Sequence, residues 1–149
     1  MAVDYATLKK GGFMRQKQKN NFSLRLRVVG GNLTAKQLAT IAEVSDKYGE
    51  GYVHLTSRQS VEIPFIKLDD IDEVKAALAK GDTEPGVCGP RVRTITACQG
   101  AAVCPSGCID TYALAISQGS FLTSSSSASQ AVRITALKRK KMTLVSRVA

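Results

Sequence analysis

Three cysteines crowd the stretch TACQGAAVCPSGC, at Cys98, Cys104 and Cys108, and a fourth, Cys88, precedes them. Thiols at this density suit a soft metal or an iron–sulfur cluster, a disulfide, or simply small buried side chains. Arginines form the second group able to do chemistry. Arg25 and Arg27 lie in FSLRLRVV, Arg58 and Gln59 in TSRQ, and Arg91 and Arg93 in RVRTIT. Planar guanidinium forks gathered with the only histidine, His54, suit an anion: a phosphate backbone or a polycarboxylate cofactor. The plainer reading of Arg25 and Arg27 is a solvated sheet face, and that of His54 a strand histidine satisfied by its neighbours.

These residues need elements to hold them. FSLRLRVV alternates, with Phe22, Leu24, Leu26 and Val28 on one face and Ser23, Arg25 and Arg27 on the other, which predicts a half-buried strand. Gly30-Gly31 ends it. Thr34 and Gln37 form a capping box, Leu38, Ile41, Ala42 and Ser45 share a helical face, and Gly49 stops that helix. YVHLT and SVEIPFI read as two strands joined through Ser57-Arg58-Gln59. Asp70 and Glu73 open a second helix, which carries Ile71, Val74 and Leu78 inward and closes at Gly81; RVRTIT is a fourth strand. The order βαββαβ predicts an α+β, ferredoxin-like split-βαβ sandwich with both helices on one sheet face. Leu24, Leu26, Val53, Leu55, Val61 and Ile63 then point to the helices. Arg25, Arg27, His54, Arg91 and Arg93 occupy the open face, with Arg58 at a strand junction nearby. Residues 1–20 read as an extended or loosely packed arm, and 21–97 as the ferredoxin-like half domain. Residues 98–115 begin a cysteine-bearing domain, and 116–149 form an irregular basic tail.

The 149 residues, 44% hydrophobic and 22% charged, suit a globular domain with a real core. No run of 18 apolar residues exists and the N-terminus lacks a secretory pattern, so the expected location is the cytoplasm. In that compartment cysteines read as ligands or thiols before disulfides. The net charge of +9 invites a nucleic-acid partner, but Arg133, Lys138, Arg139, Lys140, Lys141 and Arg147 supply six of those charges in a tail without acids.

The segments FSLRLRVVGGNLT, VHLTSRQSVEI, RTITACQGAAVC and IDTYALA, in that order, carry a resemblance. Residues 13–115 resemble the ferredoxin-like half and first cluster motif of the nitrite/sulfite reductase family, nearest its small anaerobic or dissimilatory members. The resemblance implies siroheme and a [4Fe–4S] cluster, an electron donor protein or subunit, and six-electron reduction of sulfite to sulfide or nitrite to ammonia. It implies Cys98 and Cys104 as the first pair of cluster ligands, with Cys108 a possible third thiol beside them. It further implies Arg58 and Arg93 as holders of the substrate anion, and Arg25, Arg27 and Gln59 as contacts to siroheme carboxylates. Cys88 has no counterpart and reads as an inert thiol.

The family continues with a basic KFK strand and a G-C-x-N-x-C motif, and this chain has neither. The codons permitted by its tail nevertheless accommodate both. Joining the third base of each codon to the first two of the next, from Leu122, permits [YH]-K-F-K-L-G-V-T-G-C-Q-N-N-C-F-K-A-E-E-N-D-V-G-I-K-G-G. Its cysteines fall across Ala131/Val132 and Thr135/Ala136, and its Asp is forced by Met142 and Thr143. The expectation is a frameshift between Ala115 and Leu122, leaving a fragment with two of four cluster ligands that is inactive alone. Two readings compete. A basic nucleic-acid-binding module lacks paired strand aromatics. A structural zinc site on Cys88, Cys98, Cys104 and Cys108 has spacings unlike the usual knuckles.

Overall fold

The computed structural model describes residues 4–88, 93–124, 131–134 and 145–147. The chain divides into two compact units, one of residues 1–27 with 33–89, the other of 28–32 with 90–149.

The first unit is a four-stranded antiparallel sheet in the order β1-β2-β4-β3. Its strands are β1 (Phe13–Arg15), β2 (Asn21–Arg25), β3 (His54–Leu55) and β4 (Val61–Lys67). Helices α2 (Ala35–Tyr48) and α3 (Ile71–Lys80) pack on each other, with α2 also against β4, and a short α1 (Tyr5–Lys10) precedes β1. Alternation in β2 works as the pattern demands: Phe22, Leu24 and Leu26 are buried, with Ser23 and Arg25 on the opposite face. Val61, Ile63 and Ile66 of β4 join them in the core. The β2–β4 register slips between Phe22 and Leu24, which pair with Ile66 and Ile63. The extra length lies around Pro64, which has no N–H to give, and Phe65, held at φ 62° with its N–H donated to Gln16 Oε1.

The capping box forms as expected: Thr34 Oγ1 accepts from Gln37 N while Gln37 Oε1 accepts from Thr34 N, and Gly49 closes α2. The buried face of α2 is Ile41, Val44 and Ser45. Leu38, 52% exposed, and Ala42 lie outside it, because Val44 and not Leu38 completes the stripe that meets the sheet. Helix α3 buries Ile71, Val74 and Leu78 as its periodicity predicts, and Gly81 ends it. Asp70 holds the N-cap position without a side-chain cap bond.

Three expectations are corrected. Of the expected arm 1–20, residues 4–20 are not loose: Asp4 caps α1, Phe13 is 1% exposed, and β1 pairs with β2. Val53 and Leu55 do not point inward; Leu55 is 75% exposed, since β3 is two residues long and lies at the sheet edge. Among the described residues, 93–96 of the anticipated strand RVRTIT do not join this sheet. Its residues 91 and 92 lie outside the described residues, and only Thr96–Ala97 is strand, β5, in the second unit. The chain returning from α3 instead lies along the end of β2, where Arg27 N donates to Glu84 O and Gly86 N to Arg25 O, with an antiparallel bridge between Leu26 and Pro85.

In the second unit β5, β6 (Ala131–Ile134) and β7 (Val145–Arg147) form a three-stranded sheet, accompanied by α4 (Thr111–Ser124). The tail thus contains ordered pairing that its composition does not signal, while 125–130 and 135–144 lie outside the described residues. Ile95, Ala97 and Ala115 form this unit's small core with Val29 and Leu114 against it, and Gly30 N donates to Ile95 O.

Candidate functional site

In the first unit the arginine-bearing segments are fixed by backbone and by acids. Arg25 Nε donates to Glu62 Oε1 at 2.6 Å, and its second terminal nitrogen pairs with the same oxygen. Ser23 Oγ lies 3.5 Å from Glu62 Oε2, and His54 stands opposite Glu62 across β3 and β4. The open face therefore carries a carboxylate among its cations, a feature absent from the sequence-based expectation. The VEIP alternation does place Glu62 on the arginine face, so the signal existed. Arg27 pairs with Glu84 at 3.3 Å, both largely exposed, and such a pair contributes little stability.

Arg58 and Gln59 sit in the hairpin turn between β3 and β4. Thr56 N donates to Ser60 O at 2.8 Å, Gln59 N to Thr56 O at 3.0 Å, and Ser60 N to Thr56 Oγ1 at 3.1 Å. Gln59 adopts φ 57°, a left-handed conformation uncommon for a side-chain-bearing residue. Arg58 is half-buried and Gln59 exposed. Ser60, 4% exposed, donates its hydroxyl to Leu26 O, between Arg25 and Arg27.

Three of the four cysteines lie in the second unit on one compact loop. Cys98 follows β5 and is half-buried, whereas Cys104 and Cys108 are exposed. A turn of 3-10 helix at Gly100–Ala102 starts the loop; Cys104 N donates to Gly100 O at 2.9 Å, and Gly107 N to Cys104 O at 2.8 Å. Ala101 N donates to Ile109 O at 2.9 Å and closes its base. Gly100 sits at φ 56°, where a Cβ would come within 2.5 Å of Thr111 Oγ1 and 2.7 Å of Ile109 O, so only glycine fits. Asp110 Oδ1 accepts from Tyr112 N and Ala113 N, which starts α4, and the fully buried Thr111 donates its hydroxyl to Cys98 O. The IDT segment is thus the clamp on the cysteine loop, a role its polar side chains ahead of an apolar run can suggest but not locate. Arg93 is described and exposed, just before β5. Cys88 is buried, 5% exposed, in the first unit.

The donor chemistry fits a thiolate-held cluster in kind but not in number. Cubane clusters take four cysteines. Cys98, Cys104 and Cys108 share the loop, and among the described residues no three Cys, His, Asp or Glu side chains gather as a metal ion would require. Thr96 Oγ1, two residues before Cys98, is a buried side-chain oxygen without a hydrogen-bond partner among the described residues. An orphan hydroxyl of this kind costs about 1–3 kcal/mol, which is consistent with a position meant to face a further polar group.

The antiparallel sheet under two helices, with an arginine-bearing hairpin beside the end of β2, has the architecture of a ferredoxin-like half domain. Residues 14–81 match the nitrite/sulfite reductase ferredoxin-like half domain, and this segment of the chain belongs to that family. The chain is 30% identical over 131 residues to a subunit of the anaerobic sulfite reductase of Salmonella typhimurium, covering 76% of this chain and 39% of that protein. It is 37% identical over 95 residues to the assimilatory ferredoxin-dependent nitrite reductase of Haloferax mediterranei, covering 56% of this chain and 16% of that one. Among solved structures, the NirA protein of Mycobacterium tuberculosis superposes with TM-score 0.75 at 18% identity, over 91% of this chain and 30% of that chain. Dissimilatory sulfite reductase I superposes with TM-score 0.67, also at 18% identity, over 78% of this chain and 28% of that chain. These two likenesses show the fold. The chain spans well under half the length of the two curated relatives, from Salmonella typhimurium and Haloferax mediterranei, both of them reductases by name. Among the described residues no helix is long and apolar enough to cross a membrane.

Proposed function

We propose that this chain is the N-terminal part of a siroheme and [4Fe–4S] sulfite or nitrite reductase, with its C-terminal portion altered by a frameshift. The observation that carries the reading is the coincidence of a family-matched half domain at 14–81 with a clamped cysteine loop immediately downstream. Siroheme and the cluster, when bound, would relay electrons from an external donor to the anion. The chain's own residues then divide the remaining work. Cys98 and Cys104 present thiolates as one pair of cluster ligands, with Cys108 beside them. Arg58 and Arg93 hold the anion, whose growing negative charge guanidinium groups stabilise. Arg25, Arg27 and Gln59 take siroheme carboxylates, and Glu62 must then exchange or share Arg25 with them.

With two of four ligands, this chain alone is expected to reduce neither sulfite nor nitrite. An electron donor protein or subunit would serve the intact enzyme. Sequencing the gene across codons 112 to 149 and beyond tests the reading. A second frame running through G-C-Q-N-N-C into a longer open frame supports it. Unrelated codons there would overturn the frameshift and restore the zinc reading. In the frame-restored protein, anaerobic reconstitution should give about four irons per chain, against none retained by the present chain.

A further inference from the structure

The hairpin turn carrying Arg58 and the strand end carrying Arg25 and Arg27 are separate in sequence, yet one side chain ties them together. All three polar groups of Ser60 are used. Its N–H is donated to Thr56 Oγ1 at 3.1 Å, its carbonyl accepts from Thr56 N at 2.8 Å, and its buried hydroxyl is donated to Leu26 O. Leu26 N in turn donates to Val61 O at 2.9 Å, so both polar backbone groups of Leu26 are bound to consecutive residues, Ser60 and Val61. Gln59, between Arg58 and Ser60, is held at φ 57°. A residue with a side chain keeps such a conformation only where its surroundings over-determine it, and the Thr56–Ser60 bonds are those surroundings.

We infer that Ser60 is a positioning residue: its hydroxyl sets the Arg58–Gln59 turn against the Arg25–Arg27 strand end, so that the two arginine segments act as one polycarboxylate-binding surface. This rests on the reading of those arginines as anion contacts. The alternation of β4 buries Val61 and Ile63, which gives the core no use for a hydroxyl at Ser60. An alanine there would fill the same space. What alanine cannot do is hold the Leu26 carbonyl, because Gly86 N, on the segment beside it, is already donated to Arg25 O.

The test uses the full chain with Ser60→Ala, Ser60→Thr and Thr56→Val, and the octacarboxylate tetrapyrrole uroporphyrin as the probe. Tryptic cleavage after Arg58, followed by mass spectrometry and normalised to cleavage after Lys80, reads the order of the turn. Fluorescence titration reads binding. Ser60→Ala and Thr56→Val should speed cleavage after Arg58 about tenfold and weaken uroporphyrin about tenfold, with Ser60→Thr restoring both. Unchanged cleavage in Ser60→Ala overturns the positioning role, as does faster cleavage with unchanged affinity. Wild-type chain that binds no uroporphyrin overturns the polycarboxylate reading instead, and the cleavage result still shows whether Ser60 holds the turn.

Discussion

At Thr96 a buried hydroxyl has no partner among the described residues, one β5 position before Ala97 and two before Cys98. Burial strips water from the hydroxyl and returns nothing, so a valine of the same shape removes a penalty without opening a cavity. Thr96→Val should raise the unfolding free energy by about 1 kcal/mol in urea denaturation, whereas a loss of that size would mean the hydroxyl is satisfied. At Arg25 the balance differs. The guanidinium is 29% and the Glu62 carboxylate 17% exposed, so neither is in bulk water and each depends on the other. Arg25→Met should cost about 1–2 kcal/mol, because a half-buried carboxylate is left unpaired, and adding Glu62→Gln should recover most of it. Residue types were readable from sequence here, but pairing was not. The alternation put Arg25 and Glu62 on one face; that they would neutralise each other depends on β2–β4 register, which is shifted by a bulge at Pro64-Phe65.

Between elements, the contact of α2 with the end of α3 is the tightest point described in the first unit. A Cβ added to Gly81 would lie 2.2 Å from Thr40 Oγ1 and 2.6 Å from Thr40 Cβ, so the neighbour cannot simply rotate away. Gly81 has φ −96°, so the need for glycine is packing and not backbone strain. Gly81→Ala should cost about 1–3 kcal/mol by overpacking, and Thr40→Ala in the same chain, which removes the Oγ1 and Cγ2 clashes but keeps the Cβ, should return only part of it. Beside this contact Lys36 Nζ donates to Asp82 Oδ2 at 2.8 Å and Gln37 Nε2 to Asp82 O at 2.9 Å. The hydrogen bond from Lys36, and then its charge, hold the Asp82 carboxyl below its ordinary 3.8. A depressed folded value means stability that is present above the unfolded value and lost as pH falls through the folded one. Wild type should therefore lose thermal midpoint more steeply than Asp82→Asn below about pH 4, and parallel curves would show that the pair contributes nothing. Caps and stops were legible in this region because Thr34, Gln37, Gly49 and Gly81 act locally. The rotation of α2 that exposes Leu38, and the return of residues 84–86 to the end of β2, were not. Both are decided by which surface the sheet offers, and no local pattern records that.

For the whole chain, charge separates two kinds of protein. Six of the nine net positive charges lie at Arg133 and beyond, where no acid offsets them, while the family-matched segment carries both signs and pairs Arg25, Arg27, Lys36 and Lys75 with carboxylates. A basic tail binds DNA by releasing counterions whatever the fold attached to it, with log affinity falling by about 0.9 per neutralised phosphate for each tenfold rise in salt. If all six tail cations engage, binding should fall about a thousandfold between 50 and 200 mM salt. Deleting residues 125–149 keeps α4 and removes every one of those cations. The shortened chain should then show no salt-dependent binding to duplex DNA, while retaining the helical and strand circular-dichroism signal of the first unit. Binding that persists with an unchanged salt slope would place the polyanion contact on the open arginine face itself. The reductase reading would then have to yield to a nucleic-acid one, because Arg25, Arg27 and Arg58 would be serving phosphates in the chain as it stands.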